Sequence, residues 1–251
     1  MKRKTIIILL ILLIFINTGV YANPDISLFG TEVNIEDSDN PDDYIVGFEI
    51  LLLLTILTLA PAILIMMSSF TRIIIVLSFI RNALGTQQTP PNQVLIGLAL
   101  FLTFFIMAPI GADINENALQ PYLEEEIGQA EAIEKAVIPV REFMYKQTRD
   151  KDLALFIDLA NVDEEVLSKE DIPTKALIPA FIISELKTAF QISFILFIPF
   201  LIIDMVVAST LMSMGMMMLP PVMISLPFKI LLFIMVDGWN LIIRSLINGF
   251  N

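Results

Sequence analysis

Four long apolar runs, at about 47–67, 93–110, 188–208 and 222–243, dominate what this chain can fold into. Each is close to the ~20 residues that a helix needs to cross a bilayer's hydrocarbon core. Backbone groups in lipid must bond to one another, so such runs form helices unless they close into a barrel. The runs fall into two pairs, and the second member of each pair follows a Pro-Pro dipeptide, Pro90-Pro91 and Pro220-Pro221. Proline suits the first turn of a helix, where no amide partner is needed. The predicted fold is therefore an all-α integral membrane protein. Two hydrophobic hairpins, 47–110 and 179–251, flank a helical domain at 111–178. The repeated dipeptide also hints at an internal repeat.

The twelve Leu, Ile and Phe residues of the first run favour insertion by roughly 4 to 7 kcal/mol. Pro61 lies inside that run and is expected to kink its helix. Ahead of it, residues 1–22 read as a secretory signal. Lys2, Arg3 and Lys4 precede an apolar core from Ile6 to Ile16 that spans roughly 16 Å, too short to cross. Val20-Tyr21-Ala22 fits a small-x-small cleavage pattern, with Asn23 as the mature N-terminus and an uncleaved anchor as the alternative. Residues 23–46 form an acidic segment, read as flexible and outside the cytoplasm. Between the first two runs, the connector carries Arg72 and Arg81 and no acid, which marks it as cytoplasmic. Within it, Ile73 to Ile80 is too short to span and is expected to be interfacial or packed inside an assembly.

That topology puts the domain at 111–178 in the periplasm with the N-terminus. It holds 16 of the 27 acidic residues, against seven lysines and arginines. A helix is expected from Glu116 to Val137, and Pro139 is expected to open another. Leu153, Phe156, Ile157 and Ala160 form one apolar helical face, with Asp150 or Asp152 as its cap. Neighbouring acids on a helix point apart, so Glu124, Glu125 and Glu126 read as a solvated surface and not a cation site.

Charges inside the apolar runs cost about 2.5 to 3.5 kcal/mol each near the bilayer centre. The cases are Asp204, Lys229 and Asp237, with Glu185 and Lys187 at the entry to the third run. An antiparallel hairpin brings Asp204 within about one helical turn of Lys229 and sets Gln191 near the level of Asp237. A buried pair that fixes helix register and a transport role are both compatible with that pattern. Between the third and fourth runs, six methionines fall within twelve residues, Met212 to Met223, in a stretch without charge from Asp204 to Lys229. Methionine is flexible and polarizable, so it packs against surfaces of changing shape. Apolar filler is the plainer account of the cluster.

Composition narrows the function. There is no cysteine and no histidine, which removes thiolate chemistry and the commonest general base and metal ligand. No cofactor is implied. A net charge of −12 argues against nucleic acid. An enzyme is not expected: Asp237-Gly238 lacks the Gly-x-Gly-Asp context of intramembrane aspartyl proteases. A small-solute or ion transporter using Asp204, Asp237 and Lys229 is the alternative function.

Several stretches resemble the FliP family of flagellar biosynthesis proteins. They are FTRIIIVLSFIRNALGTQQTPPNQ at 70–93, REFM at 141–144, KDLALF at 151–156, IPAFIISELKTAF at 178–190, MGMMMLPP at 214–221, LPFK at 226–229 and VDGW at 236–239. The signal and the GTQQT stretch favour the flagellar branch over injectisome relatives. The resemblance implies a core subunit of the type III export gate in the inner membrane, at the flagellar basal body. Copies form a homo-oligomeric ring that winds with FliQ- and FliR-like subunits around a channel for unfolded flagellar export substrates. FlhA- and FlhB-like components are further implied partners. In such an assembly, subunit contacts satisfy Arg72, Arg81, Glu185, Lys187, Asp204, Lys229 and Asp237. Met216, Met217 and Met218 line the pore as a gasket.

Overall fold

A computed structural model describes residues 26–28, 31–33, 41–86, 88–160, 172–216 and 218–250. The expected signal peptide and its cleavage site, much of the acidic segment and Met217 lie outside those residues. The chain divides into two compact units, Met1–Thr58 and Leu59–Asn251. In the first, β1 (Ile26–Leu28) pairs antiparallel with β2 (Thr31–Val33), Ile26 opposite Val33. Helix α1 (Pro41–Met66) begins in this unit and continues into the second, with Pro61 inside it.

The second unit is helical: α2 (Phe70–Ala83), α3 (Asn92–Ile114), a π-helical turn (Asn115–Leu119), α4 (Gln120–Leu123), α5 (Gln129–Gln147), α6 (Asp150–Leu159), α7 (Thr174–Ser213), α8 (Pro221–Met235) and α9 (Gly238–Asn248). Among the described residues, two stretches, Asn92–Leu123 and Thr174–Ser213, are long and apolar enough to cross a membrane. The bent pair α8–α9 makes a third if it counts as one span. Both Pro-Pro pairs sit where expected, at the entries to α3 and α8.

Helix α2 corrects one expectation. Arg72, Ile73, Val76, Leu77, Ile80 and Ala83 form a buried stripe at helical spacing, packed on α7 and α3. One face of Ile73 to Ile80 is thus core of the chain itself, buried without help from a bilayer or a neighbour, while Phe79 stays exposed. Each of Ile73, Leu77 and Ile80 contributes roughly 1.5–3 kcal/mol by leaving water. The side chains Arg72 and Phe79 meet Glu185 and Phe190 on α7, so the two helices run in the same direction. Phe143 of α5 and Phe181 of α7 extend this core, their rings meeting edge-on.

Other differences lie at breaks. The expected helix from Glu116 to Val137 is interrupted at Glu124–Gly128, where Glu125 has φ 60°. Pro139 lies inside α5 and opens no helix. Its missing amide frees only the carbonyl four residues back, at Lys135, which is not buried. The fourth apolar run is not one helix: it breaks by 63° between α8 and α9. Asp237 sits at that break with φ 49°, a left-handed conformation that Asp tolerates better than most residues. Gly238 follows because a Cβ there would lie 2.4 Å from the Phe233 ring.

Candidate functional site

Three polar nodes and one apolar turn are strung along α7. The first node centres on Arg72. Its Nε donates to Glu185 Oε2 at 2.9 Å and its NH2 group to Glu185 Oε1, a two-pronged contact with both side chains buried. Further donors reach Gln147 Oε1 and the Gly249 carbonyl, each at 3.0 Å. The guanidinium also lies 3.9 Å above the Phe250 ring. Gln147 in turn donates to the Phe250 carbonyl at 3.2 Å. One arginine therefore ties α2, α5, α7 and the end of α9 together, using a fork geometry that lysine lacks.

A second node docks α6. Asp152 is buried, accepts from Lys187 Nζ at 2.8 Å and from Ser184 Oγ at 2.9 Å. Ser184 accepts from the Arg149 amide at 3.0 Å. Asp152 is thus not the helix cap expected from the sequence; α6 starts after Arg149 without a side-chain cap. Its apolar face is as expected, with Leu153 and Ile157 buried and Phe156 against the core. The Lys187 hydrogen bond, before all else, holds the Asp152 carboxyl below the usual carboxylate range; Ser184 and the charges of Lys187 and Arg149 add to this against the opposing effect of burial. A carboxylate whose pKa is depressed by folding stabilises the fold fully above its unfolded value. That contribution is lost as pH falls through the folded value. Thermal unfolding in detergent is therefore expected to be insensitive to Asp152 protonation near neutrality and to weaken in acid below about pH 4. Asp152→Asn should flatten part of that acid limb, and an unchanged pH profile would contradict the assignment.

The third node joins α7 to α8. Lys229 Nζ donates to Asp204 Oδ2 at 2.6 Å and to the Ala83 carbonyl at 3.2 Å. Ser225 Oγ donates to Asp204 Oδ1 at 2.5 Å. Phe200 and Phe233 pack above them with centroids 6.4 Å apart, so α7 and α8 run antiparallel as the hairpin reading requires. Gln191 does not meet Asp237. It accepts from Arg149 at 2.5 Å, and Asp237 is exposed with no side-chain partner among the described residues. Arg81 holds the turn before α3, donating to the Pro90 carbonyl at 3.2 Å and to the Asn92 side chain. Of the charges singled out from the sequence, all but Asp237 are thus engaged inside the chain.

Beyond the third node lies the methionine turn. Helix α7 stops at Gly215, which takes φ +77° at no steric cost. The Gly215 amide donates to the Met212 carbonyl and the Met216 amide to the Leu211 carbonyl, each at 3.0 Å, so the last carbonyls of α7 are capped by the turn itself. Pro220 and Pro221 then start α8. Within this frame Met212, Met214, Met216 and Met218 are all exposed, Met218 at 98%. No charge lies between Asp204 and Lys229 to solvate the turn. The geometry offers an apolar, deformable surface at the end of a rigid rod.

The same motifs recur in known proteins. The sequence profile of the FliP family matches residues 53–246. This chain belongs to the FliP family. It is 62% identical to the flagellar biosynthetic protein FliP of Bacillus subtilis (strain 168) over 218 residues, 87% of this chain and 98% of that protein. The FliP of Pectobacterium carotovorum subsp. carotovorum is 59% identical over 80% of this chain and 77% of its own length. That of Aquifex aeolicus (strain VF5) is 47% identical over 99% of both chains. The family match covers α2 to α8 entire, with the second and third nodes, the methionine turn and the Arg72–Glu185–Gln147 part of the first node inside it; Gly249 and Phe250 lie beyond it.

Asp152, Ser184, Gln147 and the Gly249–Phe250 end carry partners that the sequence alone did not reveal. Ser184-Glu185 inside an apolar helix was the available signal for the first two. No local pattern marked Gln147 or Phe250, because their partner lies about 75 residues or more away.

Proposed function

We propose that the chain is a core subunit of the flagellar type III protein export gate in the bacterial inner membrane. Copies form a ring, joined by FliQ- and FliR-like subunits and by FlhA- and FlhB-like components, around a channel for unfolded flagellar proteins. The central region at 111–178 faces the periplasm. The turn with Met216, Met217 and Met218 closes the channel as a gasket. Membership of the FliP family supports the export role. The observation that carries the gasket is the turn itself: the thioethers of Met212, Met214, Met216 and Met218 are exposed, uncharged and placed at the end of a capped 40-residue helix.

A ring brings each subunit's thioethers to one axis. Such a constriction excludes ions by dewetting, yet yields to side chains of different size because methionine changes shape with little strain. Valine or isoleucine would be stiffer at χ1 and accommodate fewer passing shapes. Met216→Ala, Met217→Ala and Met218→Ala combined are expected to preserve the oligomer and raise ion leak. Membrane conductance in cells expressing the gate, with oligomer level checked in parallel, measures this. A normally assembled triple variant with unchanged leak would return the cluster to apolar filler. A solute transporter built on Asp204, Lys229 and Asp237 draws no support from the geometry, because Asp204 and Lys229 neutralise each other and Asp237 is apart from them.

A further inference from the structure

We infer that the methionine turn is an oxidation site, and that hydrogen peroxide and related two-electron oxidants loosen the seal through it. The inference rests on the gate reading above. Met212, Met214, Met216 and Met218 are exposed, the last almost completely. Met144 is fully buried in the core and makes an internal standard in the same chain. Other exposed methionines, such as Met205 and Met235, lie on the apolar helices α7 and α8. The turn differs from them in where the gate reading puts it: it borders a channel, and a small neutral oxidant reaches it from the water on either side of the constriction.

The chemistry is complete with one reactant. The thioether lone pair attacks one peroxide oxygen, a sulfur–oxygen bond forms and the oxygen–oxygen bond breaks. The transferred oxygen gives up its proton to the departing hydroxide, which leaves as water. Sulfur loses two electrons and peroxide gains them. The product is a sulfoxide, polar and a hydrogen-bond acceptor, in place of a flexible apolar side chain. A constriction that excludes water because its lining is apolar then becomes wettable. No buried charge has to move and no helix has to unfold. The change is reversible, because sulfoxide reductases of the two stereospecificities return the thioether.

The experiment uses the assembled protein in its native membrane. Membranes are treated with graded hydrogen peroxide, and sulfoxide is quantified by peptide mass at 212–218 and at Met144, alongside ion leak. The turn is expected to oxidise at least about tenfold faster than Met144, following exposure. Leak should rise in step and return after treatment with both reductases. In the Met216→Leu/Met218→Leu variant, scored against its own untreated baseline, the peroxide-induced rise should be smaller. Oxidation of the turn no faster than that of Met144 would overturn the inference and leave the gate reading untouched. Oxidation of the turn with no added leak would overturn it too. In that case the triple alanine variant decides the gate reading separately: if that variant leaks, the gasket stands and only its sensitivity to oxidation is refuted.

Discussion

Glu185→Ala is expected to cost about 3–5 kcal/mol of stability, a large share of what holds a folded chain together. The reason is the guanidinium it leaves behind. Arg72 is buried, and its remaining partners, Gln147 and the Gly249 carbonyl, are neutral. An unpaired charge in that position has lost its hydration without gaining a counter-charge. Arg72→Met combined with Glu185→Leu removes both charges and should recover much of the loss, although it also gives up the contacts to Gln147 and Gly249. Folded yield from membranes and thermal unfolding in detergent test the order. A double variant no better than Glu185→Ala would mean that the orphaned charge is not what destabilises the single one.

Asp204→Ala is expected to follow the same logic further along α7, again at about 3–5 kcal/mol. Lys229 is 2% exposed and keeps only the Ala83 carbonyl once Asp204 is gone. The reverse change, Lys229→Met, should cost clearly less. Asp204 has a side chain 27% exposed and keeps its bond from Ser225. This asymmetry separates a structural pair from a working one. A pair that only holds α8 against α7 loses oligomer in proportion to lost stability. If Asp204→Ala assembles at normal levels while protein export stops, the residue acts in transport and the structural reading fails.

Both pairs bear on how much was legible before the fold was known. Apolar runs located α3 and α7, and helical spacing located the face of α6, because both signals are local. Asp204 and Lys229 were legible as partners because the hairpin's turn sets their register. Arg72 and Glu185 were each visible as costly charges, but 113 residues separate them and no local pattern joins them. Hydropathy was blind at Asp237 for a different reason. It sums transfer energies and carries nothing about backbone direction, so a run with a left-handed residue in it reads like a straight one. Ile73 to Ile80 was misplaced because an apolar stripe shows that something covers it, not whether the cover is lipid, a neighbour or the same chain.

Helix α7 sets a length that lipid alone does not match. At ~1.5 Å per residue its 40 residues make a rod of roughly 60 Å. Its exposed apolar side chains begin at Ile183 and continue to Met212, an axial reach of roughly 44 Å. The hydrocarbon layer is ~30 Å thick, and even a helix tilted by 40° runs through only about 39 Å of it. Several ångströms of greasy surface are therefore left over at one end or the other, however the rod is leaned. Water is a poor cover for that overhang, and the natural remedy is the flank of another polypeptide. In the proposed gate, that strip of the chain's longest helix is where a companion chain would lie.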